Sequence, residues 1–99
     1  MQLLALEHFA GLLNQNFQVA LDREGEASFV LVEARPLAAS ATNARMSRAP
    51  FSLLFRNEAA VLLPQKTYAM THATLGRFGI FLVPVARDRD GFIYQAVFN

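Results

Sequence analysis

Few side chains in this sequence can do chemistry, and their spacing limits what they can do. His8 and His72 are the only histidines, and there is no cysteine. A protein metal site gathers several nitrogen, sulfur or oxygen ligands. Neither histidine has a ligand-type residue at i+2 or i+4 to begin one. Thiolate ligands, thiol nucleophiles and disulfides are excluded outright. The run Asp-Arg-Asp-Gly at 88–91 opens like a calcium loop, but the bidentate glutamate that should close it is replaced by Asn99, in an apolar strand. Asp88, Asp90 and Gly91 therefore read as a turn between strands. Ser28, Ser40, Ser47 and Ser52 stand outside any Gly-x-Ser-x-Gly elbow. Gly76 and Gly79 lack the spacing and the strand-to-helix context of a phosphate loop. The sequence thus predicts no catalytic residue, no metal and no cofactor.

What remains is suited to binding. Arg45 and Arg48, three apart in the Ala/Ser-rich stretch LAASATNARMSRAP, could grip a phosphate or a partner carboxylate. Leu4, His8 and Leu12 fall at i, i+4 and i+8 of a predicted helix, on the side away from its core stripe, and could meet another chain. Tyr68, Met70, Phe92 and Tyr94 could line the mouth of a barrel and hold a small molecule.

The elements that must position these residues follow from periodicity. Leu6, Phe9, Ala10 and Leu13 give a helical stripe between Leu3 and about Asn14. Phe17, Val19 and Leu21 alternate, and Gly25 turns the chain into a second strand that ends at Pro36. Glu33 and Arg35 share one face there and could pair. A connection from Leu37 to Pro50, long for a loop, is expected to be mobile. Phe51, Leu53 and Phe55 mark a third strand; Tyr68, Met70 and His72 lie together on a fourth. A fifth runs from 77 to about 85, and FIYQAVFN ends the chain as a sixth. A helix followed by strands and short turns predicts an α+β fold. The N-terminal helix packs on a roughly six-stranded antiparallel meander curled into a barrel or roll, with residues 1–99 forming a single domain. In the fifth strand Phe78, Ile80 and Leu82 form one apolar face and Phe81, Val83 and Val85 the other, so both faces are expected to be covered.

Composition points the same way. Hydrophobic residues make up 54% of the chain and charged residues only 17%, with a net charge of +1. That is short of surface charge for a globular chain and offers no electrostatic footprint for nucleic acid. The opening MQLLALEHFAGLLNQNF lacks a basic leader, carries Glu7 and His8 within its apolar run and is too short to span a bilayer. No membrane span and a cytoplasmic location are expected.

The segments FVLVEARPL, PFSLLFR and LPQKTYAMTHATLGRFGIFLVPVARDRDGFIYQAVFN resemble a family of small bacterial proteins that is a domain of unknown function. Its marks are a Phe-Leu-Val-Pro segment and a terminal Tyr-x-Ala-Val-Phe-Asn. Position 95 departs from it, with Gln where the family carries an acidic residue. The resemblance implies a structural or assembly role in a phage-tail-like or fibre system and brings no catalytic residues. The sequence therefore leads to a non-enzymatic interaction or assembly protein that self-associates or docks to another protein through apolar surface. A small-molecule-binding barrel is the alternative.

Overall fold

A computed structural model describes residues 4–21, 25–37, 50–59 and 62–98. A short helix, α1 (Leu6–Ala10), precedes β1 (Asn16–Ala20), β2 (Glu26–Pro36), β3 (Phe51–Asn57), β4 (Lys66–His72), β5 (Gly76–Asp88) and β6 (Gly91–Phe98). Alternation along these strands sends one row of side chains inward, and the rows meet in one core: Phe17, Val19, Phe29, Leu31, Phe51, Leu53, Phe55, Tyr68, Met70, Ile80, Leu82, Tyr94 and Ala96. The strands pair antiparallel throughout and the sheet closes as a barrel in the order β1-β2-β3-β6-β5-β4. This is the α+β barrel that the sequence pattern predicts. Its meander runs in two three-stranded halves, joined where β3 pairs with β6 and where β1 pairs with β4.

One end of the barrel is plugged by α1. Phe9 is fully buried, and its ring lies 5.8–6.3 Å from those of Phe17, Phe51, Phe78 and Phe98. The helix is shorter than its periodicity predicts: it ends at Ala10, and residues 11–14 form turns. His8, Leu12 and Gln15 donate their N–H groups to the carbonyls three residues back. Leu6 and Phe9 face the barrel from the helix, and Leu12 packs on the core from the turn that follows it. Asn14 then takes a left-handed φ of 69° and donates to the Leu31 carbonyl at 2.7 Å, turning the chain into β1.

The other end is crossed by the connection from β3 to β4, which lie on opposite sides of the barrel. Two interior tyrosines hold it. The Tyr94 hydroxyl accepts from the Leu63 N–H at 2.9 Å, and the Tyr68 hydroxyl donates to the Pro64 carbonyl. Leu63 packs down on the core beneath them. Beside this crossing, the β5–β6 turn is pressed onto the end of β3. Gly91 has φ 140°, and a Cβ there would lie 2.2 Å from the Asn57 carbonyl oxygen, so only glycine fits.

His72 is an interior residue. It is 4% exposed, its ring lies 4.6 Å from that of Phe17, and its Nδ1 accepts from the N–H groups of Thr74 and Leu75. Nε2 meets the Gln15 side-chain oxygen at 2.8 Å. With Nδ1 accepting from two N–H groups and Nε2 bonded to Gln15, both ring nitrogens are engaged and the ring closes the β4–β5 turn.

Candidate functional site

The positions that alternate with the core form the outside of the barrel, and where β5, β6 and β3 adjoin they are largely apolar, with Arg56 at one margin. Register places Val83 beside Gln95, and Gln95 beside Leu54. Phe81 lies two residues along from Val83 and Val97 two from Gln95, on the same outer faces. Ile93, opposite Arg56 and Ala86, extends the patch the other way. Phe81 and Val97 are each 48% exposed, and Val85, in the β-bulge between Pro84 and Ala86, is 49% exposed. No charge stands among Ser52, Leu54, Phe81, Val83, Ile93, Gln95 and Val97. Gln95, in place of the acidic residue that the resemblance leads one to expect, keeps the middle of this face uncharged.

The bulge explains how this face arises. Pro84 has no N–H to give to a ladder, and an extra residue beside it lets β5 continue to Asp88. The expectation that both faces of this strand are covered is corrected: Phe78, Ile80 and Leu82 turn inward, while Phe81 and Val85 meet solvent.

At the end of this face the Arg87–Phe92 turn forms a polar cleft of about 410 Å³ with Arg56 and Glu58. Asp88 accepts from the Asp90 N–H at 2.8 Å and from Arg56 at 3.2 Å. The Asp90 backbone bond, aided by the Arg56 charge, holds the Asp88 carboxyl below the usual range. The Arg87 guanidinium lies over the Phe92 ring at 5.4 Å. These contacts tie the turn down and confirm Asp88, Asp90 and Gly91 as turn residues. Glu33 and Arg35 form the expected pair at 3.0 Å.

The other expected binding residues are distributed differently. Leu4 and Leu12, assigned to the outward side of the helix, pack against the core. Leu13, assigned to the core stripe, is 44% exposed. The α-helix covers only Leu6–Ala10, so Leu4, Leu12 and Leu13 do not follow its stripe. His8 Nδ1 accepts the Ala5 N–H at 2.8 Å and so closes the start of α1. Tyr68, Met70 and Tyr94 are buried in the core, with both hydroxyls engaged on the crossing segment, so they do not line an open mouth. Phe92 packs against that core from its rim, half-buried beneath Arg87. Arg45 and Arg48, and most of the Leu37–Pro50 connection expected to be mobile, lie outside the described residues. Sequence reasoning missed Leu54, Ile93 and Val97. Their alternation with Leu53, Tyr94 and Ala96 was visible, but which strands are neighbours was not.

Among the described residues no cluster of three or more His, Asp or Glu side chains is placed to hold a metal ion, and no helix is long and apolar enough to cross a membrane. A family model described as a domain of unknown function, DUF6916, matches residues 4–98. No curated protein and no solved structure matches the chain.

Proposed function

The chain belongs to the DUF6916 family, and from the outer face of its barrel we propose that it acts without catalysis, as an interaction or assembly protein. It binds a second copy of itself through Phe81, Val83, Val97, Ile93 and Leu54. The observation that carries this is the half exposure of Phe81, Val85 and Val97 on or beside one uncharged face, since contiguous apolar patches on soluble proteins generally mark contact sites. Removing apolar surface from water contributes about 25 cal/mol per Å² before the costs of association. A two-fold arrangement of identical faces is the commonest closed form. The absence of cysteine suits a reducing compartment, and we place this role in the cytoplasm, in a phage-tail-like or fibre assembly.

Amide NMR spectra recorded over a dilution series test the location of the contact. Concentration-dependent shifts are expected at Phe81–Val85 on β5 and Ile93–Val97 on β6, with β1 and β4 unchanged. Shifts confined to other elements would place the contact elsewhere, and their complete absence would remove it.

A further inference from the structure

A different surface, independent of the outer β5–β6 face, is formed where the β1–β2 hairpin runs past β3. β2 pairs with β1 as far as Glu26, but its pairing with β3 begins only at Val30. The direction of the backbone groups in this overhang follows from the bonds at its two ends. Leu31 donates to the Gln15 carbonyl at 3.2 Å and accepts from Asn14 at 2.7 Å, and Leu21 donates to the Gly25 carbonyl at 3.3 Å. Antiparallel pairing alternates the direction of successive residues. Phe29 and Ala27 therefore direct their N–H and C=O groups toward β1, and Val30, Ser28 and Glu26 direct theirs the other way.

Val30 meets β3 there. The Ser28 carbonyl accepts from the Asn57 side-chain amide at 3.0 Å, which agrees with this assignment. Among the described residues nothing bonds the Ser28 N–H or either backbone group of Glu26, which form a short open strand edge. They border a groove of about 530 Å³ whose walls include Leu21, Ala27, Val30, Ala59 and Leu63. Among the described residues, three charged side chains reach it: Glu26, Glu58 and Arg56. Arg56 is paired with Asp88, so its charge is offset, whereas the two glutamates have no ion-pair partner among the described residues.

We propose that this groove docks an extended, basic segment of a partner protein, which adds as a strand along Glu26–Ser28. An open edge supplies backbone bonds to an extended chain, and flanking apolar walls take its alternate side chains. The charge selects the occupant. Lysine or arginine side chains of the added strand meet Glu26 and Glu58, whereas a second copy paired edge to edge would bring Glu26 toward its own counterpart, a like-charge contact that protects edges from self-pairing.

The test is amide NMR and hydrogen exchange with two short capped peptides, one alternating valine with lysine and one alternating valine with glutamate. The lysine peptide is expected to shift and protect the Ser28 and Glu26 amides saturably, while the glutamate peptide leaves them unchanged. Replacing both Glu26→Lys and Glu58→Lys, at exposed positions, should weaken the lysine peptide about tenfold or more, by removing two charge contacts and adding two repulsions. Three results would overturn the proposal: no response to the lysine peptide, an equal response to both peptides, or Ser28 and Glu26 amides already protected in the free protein. Protection that rises with protein concentration alone would overturn it in favour of a second copy. None of these readings involves Phe81 or Val97, so failure here is distinguishable from failure of the outer-face contact.

Discussion

The residues best suited to chemistry in this protein hold turns. His72 combines acceptance from two backbone N–H groups with packing on Phe17 and a bond to Gln15. Replacing it with alanine leaves Thr74 and Leu75 without their acceptor and opens a gap beside Phe17, which should cost about 2–4 kcal/mol. His72→Asn can still offer a side-chain oxygen to the Thr74 N–H and should lose roughly half as much. Urea unfolding of both variants checks this; equal losses would show that packing alone matters at this site. The alternation of Tyr68, Met70 and His72 made their common face legible in the sequence. That the histidine faces the core as a satisfied polar residue was not legible, because its partner Gln15 comes from the far end of the chain and pairing across such a distance leaves no local pattern.

At the scale of elements, strands were easier to read than the helix. Period-two alternation and the glycines at 25, 76 and 91 locate β1, β2, β5 and β6, since each glycine, at positive φ, closes the turn from which the next strand starts. The helix misled because its stripe was read through to Leu13, whereas the α-helix ends at Ala10 and residues 11–14 are turn. The corrected face carries a prediction. Leu4→Glu with Leu12→Glu should now lower stability by roughly 2–4 kcal/mol through loss of apolar burial and desolvation of two carboxylates, whereas Leu13→Glu should change it by less than about 0.5 kcal/mol. Thermal unfolding followed by circular dichroism decides. A double variant that melts like the parent would return Leu4 and Leu12 to the outside.

For the whole molecule, two-sided apolar character in the strands pointed to a sheet curled into a barrel or roll, and the fold is the closed form of the two. Strand order was beyond the sequence, because the β3–β6 and β1–β4 pairings join segments whose patterns look alike on every neighbour. The barrel interior accounts for only one face of β5; the other remains on the surface with Val97 and Ile93 beside it. The central claim is that this uncharged face joins two copies of the chain. Sedimentation equilibrium of the parent protein and of Phe81→Ser with Val97→Ser tests it most directly, since both positions are half exposed and their replacement leaves the core intact. The account predicts a concentration-dependent dimer for the parent and a folded monomer for the double variant. A parent that stays monomeric at the highest concentration, or a double variant that dimerises as tightly as the parent, would contradict it.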